Sequence, residues 1–584
     1  MKTLANFGPF VLFDDARGAQ AAPARLYRNP IRIISTNQRT EVASLLEELR
    51  GIGQHWAGFI AYETGLALEP KLGSLTRQST LPLLWFAQFD RCEEIDPAEV
   101  TQQLPDPAGG WLGRPKPEID QPTYAEALAR VKGLIEAGDI YQANLTFQNR
   151  VSTLGHPLAL YAGLRARAKA GYGGIVWTGN DWFLSLSPEL FFALHEGKIT
   201  TKPMKGTAAR QRNRIADEGA IAELASDPKQ RAENLMIVDL LRNDLSRVAV
   251  PGSVAVPHLF SIETYPTVHQ MTSTVTAQIK PGLGAVDILK TIFPCGSITG
   301  APKIRAMEVI DQTEVAPRGL YTGSIGRIDS NGDAAFNVAI RTLHLPDGDN
   351  QARLGLGSGI VADSRMGEEW AESLAKGRFV ADPRRFDLIE TMRFEPESGI
   401  ALLDLHLDRM KASARALDFA FDRHAARNEL QAATFSQTAP RRIRLMLSRS
   451  GNLAIEIGAL HEAPDGPVDV ALVPLPVAPA DFRLRHKTSD RSFYDAARQA
   501  AGTFEVIFTD PNGYLTEGSF TNLLVKRGDK MLTPPLSRGL LPGVLRAHLI
   551  ANGKAEEADL RADDLAAGFF IGNASRGLMA ARLG

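Results

Sequence analysis

The chain has 584 residues, 44% hydrophobic and 23% charged, a globular composition that excludes a disordered or collagen-like polymer. Lys plus Arg is 65 against 67 for Asp plus Glu, and this net charge of -2 offers a nucleic-acid backbone no attraction. Two cysteines, Cys92 and Cys295, are too few for a disulfide framework or an all-cysteine zinc site.

At about 150 residues per domain, the length predicts three or four units. Met1 to Phe13 is apolar but meets Asp14 and Asp15 with no small-residue cleavage site, a poor signal peptide. Leu81 to Phe86 is far shorter than the ~18 residues that span a bilayer. Free thiols fit a reducing compartment, so a soluble cytoplasmic protein with no membrane or nucleic-acid partner is expected. No fixed-period repeat is visible, which excludes a solenoid.

Along the chain, Leu104 to Pro122 is rich in Pro and Gly and reads as a long loop or internal boundary. Tyr124 to Ala137 and Ala232 to Asp244 predict helices. The β-branched segments FFALHEGKITTKPMKG (191–206) and TYPTVHQMTSTVTAQI (264–279) predict strands. A composition shift at Phe379 to Arg385 sets the main boundary, giving domains 1–383 and 384–584. Beyond it, 441–451 and 468–475 read as strands, with helices at His406 to Leu417 and Tyr494 to Ala501. Both parts predict an α+β fold.

Four stretches of the first part carry chemistry: SLSPELFF (185–192), TKPMKGTAAR (201–210), FPCGSITGAPKIRAMEVI (293–310) and GLGSGIVADS (355–364). In GSITGAPK, Gly296 and Gly300 allow close backbone approach, and the loop runs into a helix. Its N–H groups suit an anion, a carboxylate more than a phosphate, although a plain strand-to-helix turn reads equally well. Glu369, Glu372 and Lys376 share one helical face, which alone is ordinary for a solvated surface. Glu233 heads another helix; if it converged with Glu372, two hard oxygen donors would suit Mg²⁺. Lys205 lies in a Pro-Met-Lys-Gly-Thr turn after a strand. There it is either a solvated charge or, in a dry pocket, a nucleophile of lowered pKa, and nothing local separates the two.

Together with GDIYQANLT (138–146) and RAENLMIVDLLRNDL (231–245), these stretches resemble the chorismate-utilising enzymes over residues 120–380. The lysine of PMKGT is similar to that of the aminodeoxychorismate synthase component I branch. The resemblance implies a large β-sandwich with helices and a Mg²⁺-dependent replacement of the chorismate 4-hydroxyl by nitrogen. Lys205 would attack at C2, Glu189 would protonate the departing hydroxyl, and Gln142 would replace the lysine base of water-adding relatives. Glu233 and Glu372, with Glu369 close by, would hold the metal. His269, Tyr321, Arg341 and Lys376 would bind substrate with the backbone around Gly296, Thr299 and Gly300 and at Gly357 to Gly359. The N-terminal segment lacks the Leu-Glu-Ser motif of tryptophan-binding relatives. No amidotransferase pattern surrounds either cysteine, so ammonia is expected from solution or from a separate glutaminase subunit.

The last 200 residues carry a second signal. Arg409 stands near the start of the helix HLDRMKASARALDF, and Lys487 lies between strand and helix. FEVIFTDPNGYLTEGSFTNLLV predicts a hairpin across Asp510 to Gly513 with Glu517 on the return strand. TPPLSRGLLPGVLR ends in a glycine turn entering a helix, a seat for phosphate. A lysine, an acid and an anion-binding turn are what pyridoxal phosphate requires. HKTSDRSFYDAA and TEGSFTNLLV resemble the fold-type IV pyridoxal-phosphate enzymes, most of all the aminodeoxychorismate lyases. The resemblance implies that Lys487 bonds the cofactor aldehyde and Glu517 holds its ring nitrogen. Arg409, Val544, Leu545 and Asn573 would surround the phosphate. It also implies a homodimer through this domain, while the roughly two dozen residues that precede the strand matching FDLIETMRF in free-standing relatives are expected to be either missing here or replaced by the link from the first domain. The combined expectation is a fused enzyme that makes 4-aminobenzoate from chorismate. The rivals are an anthranilate-forming synthase joined to a transaminase, and a synthase with a non-catalytic C-terminal scaffold.

Overall fold

The computed structural model describes residues 8–18, 21–51, 53–75, 77–265, 268–462 and 464–584; the first seven residues of the apolar N-terminal run lie outside them. The chain forms two compact units rather than three or four. One comprises Met1–Leu104, Arg114–Val151 and Tyr161–Ala381; the other comprises Pro105–Gly113, Ser152–Leu160 and Asp382–Gly584. Sequence length alone overcounts, because one large sandwich absorbs what length divides into several domains.

The first unit is built on two large sheets. One runs Gly300–Ala301, Gln142–Leu154, Gln351–Ile360, Thr342–Pro346, Asp181–Ser185, Gly173–Trp177, Phe10–Asp14, Ala24–Arg28 and Glu93–Ile95. The other runs Met204–Ala209, Val268–Gln278, Lys198–Lys202, Leu190–His195, Ala334–Asn337, Ser324–Ile328, His55–Ile60, Leu84–Phe89 and Arg32–Thr36. Side chains alternate across a strand, and the strand Leu84–Phe89 of the second sheet is buried on both faces. From Leu84–Phe89, Trp85, Ala87 and Phe89 join Val11, Tyr27, Val176 and Phe183 of the facing sheet. Leu84 and Phe86 turn the other way, onto a core shared with Ile237, Val238 and Leu241 of the helix Pro228–Ser246 and Ile288 and Leu289 of Ala285–Ile292. Sheet, sheet and helix layer thus share continuous apolar cores.

The helix read at Ala232 begins earlier. Asp227 caps it by accepting from the N–H groups of Lys229 and Gln230, and Pro228 occupies the first turn. Glu233 therefore sits in the second turn rather than at the head. The 264–279 segment is not one strand either, for Ala255–Thr264 and Val268–Gln278 are separate elements. Leu104 to Pro122 holds only short pieces, among them Trp111–Leu112 and Lys116–Pro117.

In the second unit, Gly399–Ile400, Leu388–Glu395, Arg441–Leu447 and Leu453–Ala459 form an antiparallel sheet. Leu407, Met410 and Ala414 of the helix Leu403–Ala416 pack onto its Met392, Ile443 and Leu445. A second sheet, in the order Leu515–Gly518, Glu505–Thr509, Val468–Pro474, Gly577–Leu583, Phe569–Asn573 and Asn522–Arg527, closes on itself. Glu517 opposite Asn522 makes the closing pair, so six strands form a small barrel. The expected hairpin is present, with Gly513 N–H donating to Asp510 across the turn.

Candidate active sites

In the first unit, Lys205 lies on Met204–Ala209 and not in a turn. The pairing of that strand with Val268–Gln278 shifts register between Met204 and Thr207, and Gly206 takes φ +93. A bulge re-aims a side chain at such a position. Lys205 Nζ and Gln142 Nε2 both crowd Gly359: a β-carbon there would stand 2.8 Å from the first and 2.9 Å from the second. The side chains of Lys205 and Gln142 thus meet over a position that only glycine leaves open. Gln142 is 1% exposed, and neither its amide nitrogen nor its oxygen has a hydrogen-bond partner among the described residues. A buried amide without partners is costly unless a ligand supplies them.

Burial lowers the Lys205 pKa, with Lys376 adding to the effect and Glu233, Glu372 and Glu189 opposing it. Burial drives Glu189 the other way, up to about 7, against a hydrogen bond from Ser297 Oγ at 2.7 Å and the charge of Lys205. A buried lysine shifted toward its neutral amine and a buried carboxyl shifted toward its protonated form are a matched nucleophile and acid. Cys295 is inert beside them, since burial pushes its thiol up to about 12.

The loop after Phe293 folds as a short 3₁₀ turn at Gly296–Ile298 and a two-residue strand, Gly300–Ala301, before the helix Lys303–Thr313. Thr299 Oγ1 donates back to the carbonyls of Cys295 and Gly296. Gly300 sits at φ +149, and a β-carbon there would stand 2.2 Å from the Gln142 carbonyl. On Gln351–Ile360, Gly355, Gly357 and Gly359 occupy alternate positions and therefore one face. Along that face they meet the Tyr321 ring, the backbone at Leu145 and Thr146, and the Lys205–Gln142 pair. Lys376 reaches the same strand, donating to the Gly357 carbonyl at 3.0 Å.

Other expected residues are arranged differently. Both ring nitrogens of His269 are taken, by Thr264 Oγ1 at 2.9 Å and Asp217 Oδ1 at 2.8 Å, so His269 anchors a strand more directly than it offers a free donor. Arg341 takes φ +50, stands over the Phe379 ring and has no carboxylate partner among the described residues. Burial lowers its pKa. Such a cation is suited to an anionic ligand.

The three carboxylates do not form one cluster; among the described residues no group of three or more acidic, His or Cys side chains could enclose a metal. Glu369 accepts from Ser364 Oγ, and Glu372 pairs with Lys376 at 2.8 Å. Glu233 has no side-chain donor among the described residues, and burial together with Glu372 raises its pKa. An orphaned carboxylate repelled by a second one fits Mg²⁺ in its usual protein setting of one or two carboxylates with substrate oxygens.

In the second unit, a cavity of about 670 Å³ contains Lys487, Arg409, Glu517, Val544 and Asn573 among its lining residues. The Lys487 carbonyl accepts from Ile389 N–H, and Nζ donates to Thr391 Oγ1 at 3.2 Å. Burial brings Lys487 down to about 7, aided by Arg409, Arg491 and Arg444 and opposed by Glu390. Glu517 is 4% exposed, and burial raises it to about 7. Its Oε1 accepts from Tyr494 Oη at 2.7 Å and Leu541 N–H at 3.0 Å; Oε2 has only a long contact to Asn522 at 3.4 Å. That oxygen is open to a ring N–H.

Arg409 is held by both oxygens of Glu390, at 2.8 and 2.6 Å, and donates to the Pro542 carbonyl. Gly543 precedes the helix Val544–Ala551, whose first N–H groups include Val544 and Leu545. Asn573 spends its amide on Phe520, Ser575 and Arg576. His406 Nε2 and Ser575 Oγ line the cavity without partners among the described residues. Orphaned donors, an acid with a free oxygen and a desolvated lysine fit pyridoxal phosphate. Sequence reasoning missed Glu390, His406, Thr391 and Tyr494, although alternation in FDLIETMRF puts Glu390 on a buried face.

These two sites and folds define a chorismate binding enzyme: residues 8–382 match that family, and the chain belongs to it. Residues 387–583 match amino-transferase class IV, a class that works with pyridoxal phosphate. Over 260 residues, 44% of this chain, it is 42% identical to aminodeoxychorismate synthase component 1 of Salmonella typhimurium, covering 57% of that protein. It is 36% identical over 298 residues, 51% of its length, to the Bacillus subtilis protein of the same description, covering 61% of it. The chain thus spans less than two thirds of these relatives. Anthranilate synthase component I of Streptococcus pneumoniae superposes with a TM-score of 0.54 and 25% identity, over 62% of this chain and 93% of that one.

Proposed function

We propose that the chain makes 4-aminobenzoate in two steps, with an aminodeoxychorismate synthase in residues 1–383 and an aminodeoxychorismate lyase in 384–584. The observation that carries this reading is the meeting of Lys205 and the unpartnered Gln142 over Gly359. A lysine there separates the amination of C4 from the direct chemistry of relatives that lack it.

The Lys205 amine adds to C2 of chorismate, the ring double bonds shift, and the C4–O bond breaks. Glu189 gives its proton to the departing oxygen, which leaves as water. Ammonia then adds at C4 and expels the lysine from C2, so the product has one amine in place of one hydroxyl. Arg341, Lys376 and the bare glycine face hold the substrate. Glu233 and Glu372 would hold Mg²⁺, whose charge neutralises a substrate carboxylate. The relatives' designation as component 1 supports a separate amidotransferase subunit as the source of ammonia.

Pyridoxal phosphate, when bound, supplies an electron sink. Lys487, neutral above about pH 7, removes the proton at C4 of the amine. Glu517, whose Oε2 lacks a close donor, would hold the ring nitrogen. Arg409, the N–H groups of Val544 and Leu545, and the one amide hydrogen that Asn573 does not give to Phe520 would hold the phosphate. Loss of the C4 proton and departure of pyruvate leave an aromatic ring. Chorismate, ammonium, Mg²⁺ and pyridoxal phosphate supplied together should yield 4-aminobenzoate and pyruvate. Chromatography showing 2-aminobenzoate instead would overturn the reading.

A further inference from the structure

The cavity of the second unit is lopsided in charge. Six arginines line it, at 409, 442, 444, 491, 498 and 576, against the carboxylates of Glu517 and Asp495. Two of the six are accounted for: Arg409 by Glu390, and Arg491 by the Ser519 carbonyl and the Tyr494 ring.

The other four are under-partnered. Arg442 and Arg444 are two apart on Arg441–Leu447, so they share a face with a spacing of about 7 Å. Arg444 Nε is buried with no hydrogen-bond partner among the described residues. Arg444 stands opposite Thr391 in the sheet, and Thr391 Oγ1 accepts from Lys487 Nζ at 3.2 Å, so Arg444 belongs to the Lys487 end of the cavity. Arg442 leads to the far end, where it meets His461 Nε2 at 3.1 Å and a half-exposed Glu456 at 3.5 Å. Arg576 lies over the Phe504 and Phe520 rings and has no carboxylate at ion-pair distance among the described residues. Arg498 shares the Phe520 ring, and its carboxylate contact is the exposed Asp495 at 3.6 Å. Arg442 and Arg498 both repel Arg576. The acid that opposes this, Glu505, is already saturated by the N–H and hydroxyl groups of Ser519, by Phe520 N–H and by Thr521 Oγ1. Mutually repelling guanidiniums around one cavity end are costly until anions enter.

We propose that these four arginines form a two-part clamp for a dicarboxylate amine, with one carboxylate at Arg444 near Lys487 and the other among Arg442, Arg498 and Arg576. The clamp names the substrate class of the lyase site and rests on that reading for its link to turnover. It excludes monocarboxylate amino acids as preferred substrates, because they leave one guanidinium group unanswered.

The test uses the full-length holoenzyme and calorimetric titration with benzene-1,3-dicarboxylate and with benzoate. The dicarboxylate should bind about tenfold tighter or better, and Arg442→Gln or Arg576→Gln should cut that ratio to about threefold or less. Arg442→Lys, which keeps the charge, should retain most of it. With aminodeoxychorismate, the same Gln variants should raise KM with kcat nearly constant. Equal affinity for the two probes in the wild type, or an unchanged ratio in the Gln variants, overturns the clamp even if 4-aminobenzoate is released. A clear preference without any release of 4-aminobenzoate supports the clamp and overturns the lyase reading instead.

Discussion

Tyr494 Oη donates to Oε1 of Glu517 at 2.7 Å and so decides which oxygen of that buried acid remains open. The bond also favours the ionised carboxylate, opposing the burial that raises its pKa to about 7.

Tyr494→Phe should therefore push Glu517 higher still. Glu517 must be ionised to hold the ring nitrogen, so lyase turnover rises with pH through its pKa. In the variant that rise should move to higher pH, with several-fold less activity near pH 7 and recovery above it. A kcat–pH profile identical to wild type would remove Tyr494 from the argument.

The synthase step should behave in the opposite sense on its alkaline side. Glu189 acts as the protonated acid, so turnover falls as pH climbs past about 7. Glu189→Gln should lose about 10²–10⁴-fold in rate together with that alkaline limb. Steady-state rates of chorismate consumption from pH 5.5 to 9 give the comparison.

Lys205→Ala should abolish ammonia-dependent amination by two or more orders of magnitude, since the covalent route disappears. Mass spectrometry of quenched wild type should find chorismate-derived mass on the peptide that contains Lys205. Wild-type turnover by the variant would eliminate the covalent mechanism.

Gly543→Ala places a carbon 1.6 Å from Asn522 Oδ1, and Asn522 in turn contacts Glu517. Overpacking of this kind costs about 1–3 kcal/mol. A lower melting temperature and faster loss of the yellow cofactor on dialysis are expected, read by calorimetry and absorbance.

Removal of Mg²⁺ with a chelator should halt the synthase step and leave release of 4-aminobenzoate from supplied aminodeoxychorismate intact. Equal inhibition of both steps would refute the seat at Glu233 and Glu372.

What the sequence discloses depends on range. Helices with periodic apolar faces and the Asp510–Gly513 hairpin were legible because their signals lie within a few residues. The motifs around Lys205, Glu189, Lys487 and Glu517 were legible by resemblance. The bulge at Lys205 was not, because it exists only through pairing with Val268–Gln278. Nor was the capture of both His269 nitrogens, for Asp217 lies 52 residues away on a helix. Barrel closure through Glu517 and Asn522 is likewise a property of the assembled sheet. The arginine group collects residues from a strand, a helix and a terminal turn, which no local pattern joins.

The alternate glycines of Gln351–Ile360 make that strand's recognition depend on phase rather than on side-chain identity. Leu354, Leu356 and Ser358 occupy the opposite positions, all buried. A slip of one residue would put Leu354 against the Tyr321 ring, Leu356 against the backbone at Leu145 and Thr146, and Ser358 against the Lys205–Gln142 pair. One residue inserted into the 346–351 connection should accordingly damage the synthase more than most substitutions within the strand itself.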